Sequence, residues 1–448
     1  MKKRMMAWLM TVSALLLIGC ILFTALYEDN PYRYHTGLGD TVSYSSESGG
    51  QFAFSYYQDG RKSIFIADRN GKNAREIGKG ETGSEHSEPK FSPDGKGMLY
   101  LKLDETKNQT LQYMADWQKG ESRRLTKHFL KVFTAAFNPD GKTIYFTASP
   151  VDDGSLPVDI TEGTDLYAIG TDGNGLERLT KDAIIPMSRL AVTPDGKKIY
   201  FVGFEEEENL YIYDFETGIN SPAKHLNGEV LYDPVISPDG QLIAYTAVAK
   251  TKQDEGLFEY EVFTRNLDGS GEKQLTYKGK HAGVPVFMGN KGEVAYLLQK
   301  NWPEEPANYE LKTVSLNNQG NEKNETVDLK IPPVKKAFHA DALMERVIGL
   351  PLLASLYAVF FICWTILLLG KRNKVFIPSA VSCMTAVISL AIVKYMMWRD
   401  PFIAINLQMY AILAGSITAS VLVLALYARF SSSKVSAHPI TYSEDIAE

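Results

Sequence analysis

The chain has 448 residues, 45% hydrophobic and 22% charged, with a formal net charge of -6 and three cysteines. These values exclude a wholly disordered chain, which would hold fewer apolar residues, and a disulfide-built scaffold, which would hold more cysteines. A general nucleic-acid binder would be basic, whereas this sequence has a pI near 5.8.

The first element is an uncharged apolar run at residues 7–27, AWLMTVSALLLIGCILFTALY, long enough as a helix to cross the ~30 Å hydrocarbon core. Lys2, Lys3 and Arg4 precede it and favour a cytoplasmic N-terminus. A cleaved signal peptide shares the basic start, but its apolar stretch is shorter, about 7 to 15 residues, so residues 1–27 read as a start and an uncleaved anchor. Leu17-Ile18-Gly19-Cys20 also resembles a bacterial lipobox, which would lipidate Cys20; against this, ILFTALY follows where a lipoprotein turns polar. Residues 28–40 read as a linker.

From residue 41 to 331 the sequence repeats. FSPDGKGMLYL begins at Phe91, FNPDGKTIYFT at Phe137, VTPDGKKIYFV at Val192 and ISPDGQLIAYT at Ile236, at spacings of 46, 55 and 44 residues. These spacings suit a four-stranded propeller blade. The Pro-Asp-Gly triplets Pro93-Asp94-Gly95, Pro139-Asp140-Gly141, Pro194-Asp195-Gly196 and Pro238-Asp239-Gly240 predict tight hairpins. Proline fixes φ, aspartate bonds back to the turn, and glycine takes φ > 0. Period-two strands follow, as in Lys142-Thr143-Ile144-Tyr145-Phe146, and a second strand–turn–strand half completes each period, as in TDLYAIGTDGNGLERLT from Thr164. Asp172-Gly173-Asn174-Gly175 resembles part of a calcium loop but occupies the hairpin slot of that half, and reads as a turn. PVFMGNKGEVAY from Pro285 and GGQFAF from Gly49 are decayed copies, giving six blades. Closing them into a ring removes exposed sheet edges.

The SPDGKxIxY half followed by LYxxDxxGxxxxxLT resembles the propeller repeat of the TolB-like family, whose members are mostly bacterial and exported. The resemblance implies a six-bladed β-propeller. It leaves the role open, because the same repeat serves translocation accessories, peptidase gating domains, lyases and sensors. In the resembling lyases, histidines on a propeller face hold a divalent metal. Here His86 and His281 precede innermost-strand cores in blades 2 and 6 and are the candidates, their alternative being solvent-facing loop histidines. Glu88 and Asp233 each precede a proline in blades 2 and 5, which are opposite in a ring of six. They are expected to face each other across the channel mouth, holding a cation or a peptide's basic group, or else to cap local turn amides. Asp152-Asp153 and Glu205 to Glu208 read as solvated loop acids.

A linker at 332–346 leads to three further apolar runs near 347–370, 375–397 and 402–428, read as a transmembrane three-helix bundle over 347–428. Lys371, Arg372, Lys374, Arg429 and Lys434 flank these runs so that four crossings leave every basic cluster in the cytoplasm, with a cytoplasmic tail at 429–448. Residues 28–346 then lie outside and carry a net charge of -12, against +6 for the remainder. Ala411, Gly415 and Ala419 form a small-residue stripe suited to close helix packing. Cys20, Cys363 and Cys383 all lie in apolar runs, so the exported domain has no disulfide.

No G-x-S-x-G, H-E-x-x-H, Walker A or paired C-x-x-C motif occurs. The expected protein is therefore a non-catalytic, membrane-tethered propeller of the cell envelope, binding a protein, peptide or envelope polymer and no nucleic acid. No cofactor is expected, a divalent cation in the channel being the exception the sequence leaves room for. The alternatives are a metal-dependent lyase or hydrolase using His86 and His281, and a sensor signalling through the bundle.

Overall fold

The computed structural model describes residues 2–26, 32–58, 60–77, 84–104, 108–126, 130–150, 163–181, 188–204, 208–226, 231–249, 258–289, 292–317, 325–333, 347–348, 350–369, 371, 374–396 and 401–435. It divides into two compact units, residues 31–337 and a second unit formed by 1–30 with 338–448.

In the first unit, six successive groups of four strands form antiparallel sheets: blades 1 (37–77), 2 (85–124), 3 (130–178), 4 (188–222), 5 (232–274) and 6 (281–326). Blades 5 and 6 share one parallel bridge, Tyr260 to His281. Six hydrophobic cores join the blades in cyclic order. One joins blades 1 and 2 through Ile64 and Met98, the next blades 2 and 3 through Leu111 and Phe146. Phe201 with Tyr145 and Tyr245 with Leu226 fill the interfaces on either side of blade 4. Tyr296 with Val262 joins blades 5 and 6, and Phe54 with Leu311 closes blade 6 onto blade 1. Six blades with six interface cores make a closed ring, so the blades pack face to face.

Local chemistry explains the repeat. Gly95, Gly141, Gly196 and Gly240 have φ between 66° and 71°, as the predicted turns require. Asp94, Asp195 and Asp239 accept from the amide two residues on and from the hydroxyl of Ser92, Thr193 or Ser237, which holds each carboxyl below its ordinary range. The closing Leu-Thr of the repeat has separate tasks for its two residues. Leu125, Leu179 and Leu275 pack against interface cores, while Thr126, Thr180 and Thr276 accept the amides of Leu111, Leu166 and Val262 at 2.9–3.0 Å. Asp172 accepts from the Asn174 amide at 3.0 Å, a hairpin as expected.

One sequence boundary shifts. The first strand is Gly37–Ser45, because Gly37 and Leu38 pair with Tyr57 and Tyr56, so 37–40 belong to blade 1 and not to a linker. Asp152, Asp153, Glu205, Glu206 and Glu207 lie outside the described residues, as does 334–346 of the second linker.

The second unit contains helices Lys2–Leu26, Leu350–Leu367, Ile377–Met396 and Pro401–Val435. Two segments, Lys2–Phe23 and Lys374–Tyr395, are long and apolar enough to cross a membrane. Of the stripe residues, Ala411 is buried, whereas Gly415 and Ala419 are exposed, and a Cβ on Gly415 would meet no atom within 4 Å. Hydroxyls join three helices. Tyr357 Oη lies 2.8 Å from Ser382 Oγ and 2.7 Å from Thr385 Oγ1, and Ser382 Oγ lies 2.7 Å from Thr418 Oγ1.

Candidate functional site

Each innermost strand runs toward its turn and breaks register at the same place. Counting back three residues from Tyr44, Phe91, Phe137, Val192, Ile236 and Phe287, which pair with apolar residues of the next strand, gives Thr41, Glu88, Thr134, Arg189, Asp233 and Val284. A register shift lies at or beside each of these positions. A β-bulge re-aims the side chain it carries, and six of them at one level form a ring around the axis.

Four of these residues, Glu88, Arg189, Asp233 and Val284, have φ of 49–55°. A left-handed conformation costs about 1–2 kcal/mol outside glycine, and most for β-branched Val284, so the surroundings must hold it. They do so from the preceding blade: the Glu88 amide points to Thr41 Oγ1 at 3.4 Å, and the Val284 amide donates to Thr246 Oγ1 at 3.2 Å. Thr41 donates in turn to Ser55 Oγ, and Thr246 to Asp233 Oδ2.

Arg189 is the centre of the ring. From blade 4 it reaches Glu88 Oε1 in blade 2 with Nη1 at 3.0 Å and Asp233 Oδ1 in blade 5 with Nε at 2.9 Å. The three side chains are only 22%, 13% and 19% exposed, so the pairs are poorly screened. Burial works against the charge on Arg189, and the two carboxylates outweigh it, holding the guanidinium above its ordinary pKa. Nearby, Lys62 Nζ donates to Asp40 Oδ1 at 2.7 Å. Asp40 remains 56% exposed while protein surrounds it, as befits a channel wall. Burial would raise its carboxyl, but Lys62 and Arg189 outweigh that and hold it low. Lys90, two residues beyond Glu88, is pushed down by burial against the pull of Glu88 and Asp233.

Glu88 and Asp233 are thus brought together, as expected from opposite blades, and the cation between them belongs to the chain itself. Arg189, Lys90, Asp40 and Lys62 were not foreseen. The signal for Arg189 was its slot, three residues before Val192.

The histidines are not solvent-facing loop residues. His86 lies in the strand Glu85–Phe91, is 3% exposed and packs on Tyr100, with ring centroids 4.9 Å apart. His281 opens the strand His281–Phe287 between Tyr260 and Trp302, 5.0 and 4.9 Å away, and its Nδ1 lies 3.5 Å from Gln299 Oε1. Burial lowers its pKa, opposed in part by Gln299 and Asp233. Among the described residues, no group of three or more His, Cys, Asp or Glu side chains is placed to hold a metal ion.

No family model matches the chain. Solved structures with a similar fold include TolB from Acinetobacter baumannii, 22% identical over 61% of this chain with a TM-score of 0.46. This chain spans 63% of that protein's length. Putative TolB from Agrobacterium tumefaciens is 19% identical over 60% of this chain and 88% of its own, with a TM-score of 0.47. An oligogalacturonate lyase in complex with manganese is 14% identical over 61% and 88%, with a TM-score of 0.39. The propeller assignment rests on the six four-stranded blades and their cyclic cores, independently of these likenesses.

Proposed function

We propose that the protein is a non-catalytic, membrane-tethered propeller that binds a protein, peptide or envelope polymer at its channel mouth, as a scaffold or accessory of a membrane complex. The observation that carries this reading is the Glu88–Arg189–Asp233 bridge. Carboxylates from opposite blades already hold a guanidinium, so a basic side chain offered by a partner meets acceptors at the right spacing. Exchange of one guanidinium for another leaves the charge balance of the site unchanged, which limits the desolvation cost of binding. The aromatic packing of His86 and His281 favours this reading over a metal-dependent lyase or hydrolase.

The helix Lys2–Leu26 serves as the anchor, and the three C-terminal helices cross the membrane so that the propeller faces outward. Its net charge of -12 suits a basic partner. Crosslinking in intact membranes tests the reading by comparing the wild type with the triple variant Glu88→Gln/Arg189→Met/Asp233→Asn, which removes the bridge whole and leaves no uncompensated charge. A reproducible partner, lost or strongly reduced in the triple variant, is expected. Capture of nothing reproducible, or of the same partner equally by both chains, would overturn it.

A further inference from the structure

Below the Arg189 bridge, toward the turn end of the strands, lies a chamber of about 200 Å³. Its walls are mixed, polar and apolar surface being nearly in balance: Val42, Leu190, Val235 and Val286 are among the apolar residues, and Lys90, Arg189, Asp233 and Ser43 supply the polar groups. A cavity of about 150 Å³ accommodates a benzene ring, so this one has room for a ring or a branched aliphatic body with a small polar head.

The polar groups have donors to spare. Lys90 is partly exposed, and Glu88, Asp233 and Arg189 act on its ammonium through charge, with no hydrogen bond to it among the described residues. Ser43 is 7% exposed, and its Oγ has no hydrogen-bond partner among the described residues. Arg189 commits Nη1 and Nε to the carboxylates, which leaves Nη2 for another acceptor. A buried hydroxyl without a partner, as at Ser43, is destabilising, and together with the partly exposed Lys90 and Arg189 lining the same chamber it describes a ligand that would satisfy it.

We propose that this chamber binds a small monocarboxylate with a compact apolar body. The carboxylate sits against the Lys90 ammonium and the Ser43 hydroxyl, with the free edge of Arg189 in reach, and the body occupies the valine- and leucine-lined space. Charge-assisted bonds to the ammonium provide orientation, and apolar contact provides area. This rests on reading the channel as a binding site, and names the ligand class for its inner part.

Benzoate is the probe, with benzyl alcohol as its uncharged counterpart, titrated into the purified full chain in detergent and followed by saturation-transfer NMR. Saturable benzoate binding, with benzyl alcohol weaker by about tenfold or more, is expected; no variant is needed for that comparison. Lys90→Met should weaken benzoate binding by about tenfold or more in a chain that keeps wild-type protease resistance. No saturable binding, equal binding of the two probes, or full binding by a folded Lys90→Met chain would overturn the proposal. Partner capture without benzoate binding would overturn this proposal alone. Benzoate binding without any captured partner would overturn the scaffold reading and leave this one standing.

Discussion

Removing Arg189 leaves two carboxylates, Glu88 and Asp233, facing each other with most of their surface covered. Breaking a buried pair costs far more than replacing it whole, because the residual charge is no longer compensated. Arg189→Met is therefore expected to lower stability by about 3 kcal/mol, measured as a shift in the urea midpoint of pulse proteolysis on the full chain. The triple variant Glu88→Gln/Arg189→Met/Asp233→Asn should recover most of that loss. A loss below about 0.5 kcal/mol in the single variant would show that solvent screens the bridge as it does a surface pair. At this scale sequence reading finds two of the site's six charged residues. Glu88 and Asp233 stand out because Pro89 and Pro234 follow them, whereas Leu190 follows Arg189 and hides it. Asp40 lies in a stretch whose composition resembles a linker, and Lys62 sits at a hairpin position where strand alternation does not announce an inward side chain. Only closure of the ring brings these residues to one axis.

Elements are held by a different set of groups. Thr276 accepts the Val262 amide at 2.9 Å and donates to Glu261 Oε2 at 2.5 Å, with both residues buried. Thr276→Val keeps the shape but strands a buried amide and removes a donor from a carboxylate that burial already pushes above its ordinary pKa. A loss of about 1–3 kcal/mol is expected by the same proteolysis measurement, and Thr276→Ser should restore most of it. If valine matched the wild type, the hydroxyl would be dispensable and the threonine of the repeat would be only a strand former. The turns and middle strands are legible because Pro-Asp-Gly and period-two alternation are local signals. The outermost strands escape that test: Arg123–Arg124, Glu177–Arg178 and Lys273–Gln274 are two residues each, too short to alternate. The Leu-Thr pair that follows marks them instead. In the helical unit the apolar runs are legible from length, but the Tyr357, Ser382, Thr385 and Thr418 cluster is not, since its members lie on three helices.

A propeller ring must also close, and here blade 1 and blade 6 each keep their own four strands, so no exchanged strand ties the first to the last. Closure instead uses chain segments just outside the blades. Tyr32 joins Glu305 and accepts the Ala307 amide at 3.0 Å, bringing the entry segment against blade 6. At the exit, Lys330 N donates to Gly71 O at 2.8 Å, and Val327, Leu329 and Ile331 pack on the core shared by blades 1 and 6. Arg69 of blade 1 pairs with Glu293 of blade 6 alongside. Gly71 is a tight point on the exit side of this seam, with φ of 78° and space so limited that a Cβ would lie 2.3 Å from the backbone oxygen of Asp328. Gly175 provides the control, with φ of 69° and nothing within 4 Å of the position a Cβ would take. Gly175→Ala should cost only the left-handed penalty, about 1–2 kcal/mol. Gly71→Ala should cost that and the displacement of 328–331, about 3 kcal/mol or more in total, and should expose the 327–333 segment to protease at urea concentrations where the rest of the propeller resists. Equal losses in the two variants would mean that the exit segment yields without strain, and that the ring is held shut by the blade 1–6 core alone.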